Sequence, residues 1–178
     1  PCSGGDAVVM CSARVAARLE GPLLRLAGGG QRPNYPLEDL YGLRAGWEAF
    51  SAEMYEQAQA GPSQMHFAQL YDDYPVMEFL QLEGMQFCAK GEAARLVAER
   101  GARVGQGLPI NTGGGQLSAG QAGASGGMIG VFEACTQLRG EAGSRQIAGC
   151  RRGIASGYGM VSYGRGLSSS AVILSNEV

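Results

Sequence analysis

The chain has 178 residues, of which 45% are hydrophobic and 17% are charged, a balance that fills one core and excludes extensive disorder. Its 14 lysines and arginines against 16 aspartates and glutamates give a net charge of -2, without the dense basic run on which non-specific nucleic-acid binding depends. We therefore expect neither DNA nor RNA as the main partner.

Cysteine usage and hydropathy bear on the compartment. The five cysteines are widely spaced, form no C-x-x-C pair and are accompanied by a single histidine. A reduced, cytoplasmic chain without a bound metal is the simplest interpretation. The long charge-free stretch over residues 105–132 is interrupted by glycines, Pro109 and Asn111. Its backbone groups would not all be satisfied in lipid, so we expect no membrane span.

The first third of the chain predicts short elements. Residues 6–11 and 22–28 have the pattern of strands, residues 12–20 that of a short helix, and residues 28–36 the composition of a connecting loop. A longer helix is predicted over 43–60. Its large apolar side chains recur at helical spacing and indicate one stripe that faces the core: Trp47, Phe50, Met54 and Tyr55.

Strands and helices alternate along the rest of the chain. Strands are predicted over 65–71, 107–111, 153–156 and 168–175. Helices are predicted over 75–85, where Pro75 suits the first turn, and over 128–138. This alternation favours an α/β layered fold.

The stretch NTGGGQLSAGQAGASGG, residues 111–127, precedes the helix over 128–138. It is no P-loop, because no lysine or arginine occurs between Arg103 and Arg139, and a G-x-G-x-x-G pattern is also missing. Glycine also allows positive φ and a close approach of the backbone to a ligand or a packed element. Ser125 stands where it can cap the following turn. The segment thus serves either a ligand or helix packing alone.

Five segments, in order along the chain, resemble the thiolase family. The residues INTGGGQLSAGQAGASGGMIGVFEACTQLRG are similar to the thiolase N-x-x-G-G and G-H-P-x-G-A-S-G segment with its Q-L-R-G helix end. GMQFCAKGEA resembles the G-F-C-x-x-G-E piece of the sterol-carrier and lipid-transfer thiolases. GGDAVVMCSA is similar to the family's D-G-A-A-A strand, and YDDYP stands where the family has N-E-A-F or H-D-C-F. IASGYGMVSYGRGLSSSAVIL takes the place of the final C-x-G-G-G and its closing strand.

The resemblance implies a thiolase-like α-β-α-β-α sandwich made of two similar halves. Residues 1–40 would be the end of the N-terminal half and a connecting loop, and residues 41–178 the C-terminal half. The implied partners are an N-terminal half, on a separate polypeptide or a missing region, and a second copy in a dimer. The implied substrate is a coenzyme A thioester, with no bound cofactor. Its binding residues would be Asn111, Gly114, Gly120, Ser125, Ser156 and Gly157.

The chain departs from thiolases at their catalytic positions. G-H-P is replaced by Gly120-Gln121-Ala122, the second cysteine position falls at Ala155 or Ser156, and the water-holding position falls at Tyr71. The pattern resembles the thiolase-like aldolases of steroid side-chain degradation. These cleave a β-hydroxyacyl-CoA by a retro-aldol step and use a small zinc-ribbon and OB-fold acyl-CoA partner.

A retro-aldol reaction needs a base for the β-hydroxyl and hydrogen-bond donors for the enolate. Tyr158 and Tyr163, in the predicted loop GYGMVSYGRG, are the first candidates for the base, a role that requires a lowered pKa of the phenol. Asn111 or Gln121 and backbone amides are the expected donors. Tyr71 and Asp72 are further catalytic candidates, although capping of the helix at Pro75 is the alternative role for Asp72 or Asp73. A catalytically silent acyl-CoA-binding subunit, or a thiolase completed by a cysteine elsewhere, remains the alternative.

Overall fold

One sheet organises the molecule in the computed structural model, which describes residues 2–35, 44–162 and 165–177. Its strands are β1 (Arg25–Tyr35), β2 (Ala68–Gln69), β3 (Arg152–Ser162) and β4 (Arg165–Ser175), in the spatial order β1-β4-β3-β2. β4 pairs antiparallel with β1 and β3, whereas β2 runs parallel to β3. This mixed sheet with its helices confirms the predicted α/β class.

The α-helices within the described residues are short. They are α1 (Ala13–Ala16), α2 (Ser51–Ala58), α3 (Pro75–Gly84), α4 (Ala93–Arg100), α5 (Gly115–Ala119) and α6 (Ile129–Leu138). Single 3-10 turns lie at Gly46–Ala49, Pro62–Gln64, Gly123–Met128 and Gly143–Arg145. No helix in the described part of the chain is long and apolar enough to cross a bilayer.

A buried cluster lies on each side of strand β3. Successive strand residues point to opposite faces, and neighbours on β3 accordingly join different clusters. Ile154 packs with Trp47 and Met54 on the side of α2 and α3. Ala155 packs on the other side with Phe67 and with the α6 residues Ala134 and Leu138.

The first strand corrects the prediction for residues 22–36. The structure extends β1 from Arg25 to Tyr35, through the segment predicted as a loop, because this segment pairs with β4 along its length. The glycines that indicated a loop permit packing instead. A Cβ atom at Gly28 would collide with the Met54 carbonyl, and one at Gly30 with the Phe50 ring. Glycine therefore lets α2 lie close to the sheet.

The strand predicted over 6–11 is wrong, and the helix over 12–20 shrinks to α1. Val9 is 94% exposed and Met10 is 77% exposed. A strand needs a neighbour for its backbone groups, and no described residue pairs with this segment.

Most of the helices and strands predicted after residue 43 are present in the structure, with changed bounds. The stripe of Trp47, Phe50, Met54 and Tyr55 is buried as predicted, but its helix breaks at Phe50 into a 3-10 turn and α2. The helices over 75–85 and 128–138 are confirmed as α3 and α6. The strand predicted over 65–71 is reduced to β2, and the strand predicted over 107–111 is reduced to one bridge at Ile110. The strands predicted over 153–156 and 168–175 are longer in the structure, as β3 and β4. The boundary expected at residues 40 and 41 lies outside the described residues.

Candidate functional site

A cavity of about 450 Å³ lies between the sheet, the residues after β2, and the glycine-rich segment that leads into α6. Polar groups from four parts of the chain converge on it. The polar side chains on its wall are Gln69, Tyr71, Asp72, Asn111, Gln116, Gln121, Glu133, Ser156 and Tyr158. Within the described part of the chain, no cysteine or histidine lines it.

Tyr158 lies on strand β3, which corrects its predicted place in a loop. The residue pairs across the sheet with Ser169 of β4, because the two strands form a hairpin that continues beyond it. Its ring centroid lies 5.4 Å from that of the fully buried Trp47 and 5.8 Å from that of Tyr71. Packing against both rings restricts the ring of Tyr158 at the cavity wall. Tyr163, the second candidate base, lies outside the described residues.

Tyr71 is held as a hydrogen-bond donor. Its hydroxyl donates to Oδ2 of Asp73 at 3.1 Å. Burial, followed by the negative charge and hydrogen bond of Asp73, raises the pKa of Tyr71 to about 12. The phenol therefore stays protonated at neutral pH, and its hydrogen is used in the bond to Asp73.

Asp72 caps a different helix from the one expected. Its Oδ1 accepts the backbone N–H of Gln116 at 2.7 Å, and its Oδ2 accepts that of Leu117 at 3.3 Å, so it caps α5. The residue before α3, Tyr74, makes no side-chain capping bond. Both oxygens thus accept from α5 and only 5% of the residue is exposed, so the observed contacts of Asp72 are those of a cap.

Asn111 connects three segments behind the cavity wall. It adopts a positive φ of 48°, its Oδ1 accepts the backbone N–H of Leu70 at 2.7 Å, and its Nδ2 donates to Oε1 of Glu78 at 2.7 Å. Because Leu70 must donate, the amide orientation is fixed. One N–H of Nδ2 is used by Glu78, and no contact of the described residues uses the second.

Glu78 is a half-buried carboxyl group that supports Asn111. Burial, and then the charge of Asp72, raises the pKa of Glu78, while the bond from Asn111 opposes the shift. Gln121 has a similar anchor on the other side of the cavity, since its Nε2 donates to Oε1 of Gln116 at 3.0 Å. The amides expected to serve the substrate are thus held by neighbours.

The other residues expected to bind substrate lie at three places. Ser156 and Gly157 of β3 line the cavity. Gly114 and Gly120, with φ of 98° and 115°, bracket α5, and their neighbours line the wall instead. Ser125 falls within the 3-10 turn Gly123–Met128.

A buried carboxylate on the wall of the cavity was not predicted from the sequence. Glu133, 4% exposed, accepts hydrogen bonds from Thr112 at 2.7 Å, Gln137 at 3.0 Å and the Arg145 guanidinium at 2.9 Å. Burial by itself would raise the pKa of Glu133, but these bonds outweigh it and lower the pKa. The sequence held only one signal, a charged residue within the apolar run MIGVFEACTQL.

Four arginines that follow α6 form ion pairs with carboxylates of the same chain. Arg139 pairs with Glu141 at 3.0 Å, Arg145 pairs with Glu133, and Glu177 pairs with both Arg151 and Arg152. Each of these four guanidinium groups thus has a carboxylate partner in the chain itself. No group of three potential metal ligands occurs among the residues that the structure describes.

A family model and several known proteins match this chain. The family model described as "Thiolase C-terminal domain-like" matches residues 37–176. The 17-hydroxy-3-oxo-4-pregnene-20-carboxyl-CoA lyase of Mycobacterium tuberculosis is 37% identical over 122 residues, covering 68% of this chain and 29% of the lyase. Sterol carrier protein 2 of Rattus norvegicus is 35% identical over 97 residues, covering 54% of this chain and 18% of that protein.

A solved structure gives the same picture. The Ltp2-ChsH2(DUF35) aldolase superposes on 93% of this chain with a TM-score of 0.76 and 26% identity, and the match covers 43% of the aldolase chain. The chain therefore spans less than half the length of these relatives. The resemblance inferred from the sequence motifs, to sterol-carrier thiolases and steroid side-chain aldolases, is confirmed.

Proposed function

Since the chain belongs to the thiolase C-terminal domain-like family, we propose that it forms the C-terminal half of an enzyme that cleaves a carbon-carbon bond in an acyl-CoA. The proposed substrate is a bulky, steroid-type β-hydroxyacyl-CoA, and the proposed reaction is retro-aldol cleavage. One observation carries this proposal: Tyr158 lies with amide donors on a cavity whose described wall has no thiol or imidazole. A lyase and an aldolase among the relatives support it.

The chemistry requires proton transfer without a covalent intermediate. A base takes the proton of the β-hydroxyl, the C–O bond becomes a carbonyl, and the Cα–Cβ bond breaks. Its electron pair moves onto the thioester as an enolate, which a proton then converts to a shortened acyl-CoA. The products are this acyl-CoA and a ketone or aldehyde, so no free coenzyme A is consumed.

We assign the base to Tyr158, because the hydroxyl of Tyr71 already donates to Asp73 and both oxygens of Asp72 accept from α5. The enolate oxygen would accept from the second N–H of Asn111 or of Gln121. Tyr163 remains a candidate in the same part of the chain. Coenzyme A enters as part of the substrate, and the proposal requires no resident cofactor.

An N-terminal half is the proposed partner of this chain, and two exposed features support it. A groove of about 650 Å³ lies beside α6, with β1 and β4 as its floor. Apolar side chains of residues 8–10, which pair with no strand in the described part of the chain, are also exposed. A half with its own sheet and helices would cover both.

A second subunit that binds acyl-CoA is proposed for a different reason, since the solved aldolase carries a two-part name, Ltp2-ChsH2(DUF35). The expected type of this subunit, a small zinc-ribbon and OB-fold protein, and a dimer of the whole unit both remain predictions. A cytoplasmic location remains a prediction as well.

A catalytically silent acyl-CoA-binding subunit is the second candidate. It is favoured by the packing of the Tyr158 ring against Trp47 and Tyr71, which gives the residue a structural role without any reaction. A thiolase is less well supported, because the second cysteine position falls at the buried Ala155 or at Ser156.

The test is turnover of a 3-hydroxyacyl-CoA by this chain together with its N-terminal half and an acyl-CoA-binding subunit. We expect release of a ketone or aldehyde and a shortened acyl-CoA without added coenzyme A. Tight binding without turnover would favour the silent subunit. A reaction that needs added coenzyme A would identify a thiolase.

A further inference from the structure

Gln81 of α3 lies completely buried behind the wall of the candidate site, at 0% exposure. Its Nε2 donates to the backbone carbonyls of Tyr71 at 2.7 Å and Met77 at 2.8 Å. Its Oε1 accepts from the backbone N–H of Tyr71 at 2.9 Å and from the hydroxyl of Ser156 at 2.5 Å. One side chain thus connects α3, the residues after β2, and strand β3.

These four bonds fix the orientation of the Gln81 amide. An amide group has two N–H donors and two acceptor positions on its oxygen, and all four are used here. The reversed amide would point its oxygen at two carbonyls and its NH2 group at the Tyr71 N–H. Such a buried mismatch costs far more than the observed arrangement.

The direction of the Ser156 hydroxyl follows from this orientation. The hydroxyl has one hydrogen, and the two groups nearest to it are acceptors: Oε1 of Gln81 and, at 3.5 Å, the carbonyl oxygen of Gln69. Its hydrogen therefore points into the protein. Since Ser156 also lines the cavity, its oxygen offers lone pairs to a ligand there.

We propose that Gln81 is a positioning residue that fixes the Ser156 hydroxyl as a hydrogen-bond acceptor, so that the cavity selects a donor group of the substrate at this point. This inference rests on the proposed function. A β-hydroxyacyl-CoA carries two kinds of donor, the β-hydroxyl O–H and the amide N–H groups of its pantetheine arm. A 3-oxoacyl-CoA of the same carbon skeleton keeps the amides and replaces the hydroxyl by an acceptor.

The experiment compares these two thioesters and the saturated acyl-CoA of the same skeleton. Dissociation constants come from the binding phase of stopped-flow mixing, before turnover, with this chain in its complete assembly. The variants are Ser156→Ala, Gln81→Met and the double variant. Ser63→Ala removes an exposed hydroxyl from the Pro62–Gln64 turn and serves as the matched control.

If the β-hydroxyl is the donor, the unsubstituted protein binds the 3-hydroxy thioester about fivefold more tightly than the 3-oxo one, as one net hydrogen bond implies. Ser156→Ala and Gln81→Met both abolish this preference, the second because the released hydroxyl can then donate to the 3-oxo group. The double variant shows no loss beyond Ser156→Ala. A structural role for Gln81 alone would weaken both thioesters and leave their ratio unchanged.

If a pantetheine amide is the donor, the three thioesters bind the unsubstituted protein alike. Ser156→Ala then weakens all of them about fivefold, whereas Ser63→Ala does not. Two results would overturn this inference and leave the proposed function standing. One is that Ser156→Ala binds every thioester as tightly as the unsubstituted protein does; the other is that the unsubstituted protein prefers the 3-oxo compound. If the unsubstituted protein binds no thioester, the proposed function falls with it. Should Gln81→Met fail to fold, the Ser156→Ala comparison decides.

Discussion

Oδ1 of Asp72 accepts the backbone N–H of Gln116 at 2.7 Å, a contact that joins segments 44 residues apart. Together with the bond from Leu117, it satisfies the first turn of α5 and anchors the glycine-rich segment to the residues that follow β2. Both segments contribute to the wall of the candidate cavity. The shape of the site therefore depends on a carboxylate that need not take part in the chemistry.

Replacing Asp72 with alanine removes this cap. We expect the free energy of unfolding to fall by about 1 to 2 kcal/mol, the range of lost N-terminal caps, with a smaller loss for Asp72→Asn. Denaturant titration measures the effect. Asp73→Asn is the matched control, because Asp73 bonds only the Tyr71 hydroxyl among the contacts described. An equal loss from both variants would show that α5 does not depend on the cap.

Gly115 permits the cap by two separate features. Its φ is +60°, and an added Cβ would collide with the carboxylate of Asp72. Gly91 has a φ of +82° with nothing near its missing Cβ, so Gly91→Ala costs only the backbone strain, about 1 kcal/mol. We expect Gly115→Ala to cost clearly more in the same unfolding titration. In an Asp72→Ala background the excess should disappear; its persistence would argue against the collision.

Because folding lowers the pKa of Glu133, the free energy of unfolding depends on pH in the acidic range. A carboxyl group whose pKa is lowered by folding contributes stability above its unfolded pKa, and that stability is lost as the pH falls through the folded value. Since the bonds from Arg145, Thr112 and Gln137 lower the pKa of Glu133, its contribution is present at pH 7 and is lost below the ordinary carboxyl range near 4.5.

Glu133→Gln should therefore reduce the free energy of unfolding at pH 7 by about 1 to 3 kcal/mol, as for a buried group that loses partners. The variant should also lose less stability than the unsubstituted protein between pH 5 and pH 3, roughly the titration range of carboxylates. Glu141→Gln, which breaks the exposed pair with Arg139, provides the control. Identical pH profiles for the two variants would contradict the assignment.

The sequence predicted the elements whose patterns are local and strong. The stripe from Trp47 to Tyr55 and helices α3 and α6 follow from periodicity, and Pro75 marks the start of α3. β1 was not predicted, because its glycines are also typical of a loop. Its strand structure depends on pairing with β4 and on close packing against α2, which the local sequence does not show.

The site was predictable only in part. Family motifs indicated Tyr158, Asn111 and Ser156, all of which line the cavity. The roles of Gln81, Glu133 and Asp72 arise from contacts between segments distant in sequence, and no local pattern encodes such contacts. Asp72 shows this limit directly, since a capping residue was expected but the helix it caps lies 44 residues later.

The proposed base gives the most direct test of catalysis. If Tyr158 takes the β-hydroxyl proton, Tyr158→Phe should lower kcat by about 10²- to 10⁴-fold, the usual contribution of general base catalysis, with little change in thioester binding. Tyr71→Phe should cost much less, because the hydroxyl of Tyr71 donates to Asp73 and takes no part in the proposed proton transfer. Tyr74→Phe, at a residue that is 65% exposed and outside the cavity wall, controls for the loss of a phenol.

Release of ketone or aldehyde from the 3-hydroxyacyl-CoA measures kcat, and stopped-flow mixing measures binding separately. Full turnover in Tyr158→Phe would show that Tyr158 is not the base, and Tyr163 would then be the next candidate. Tight binding with no turnover in any form, including the unsubstituted assembly, would instead identify a binding subunit. The ratio of kcat between Tyr158→Phe and Tyr71→Phe is decisive, because a purely packing role for the two contacting rings predicts similar losses for both.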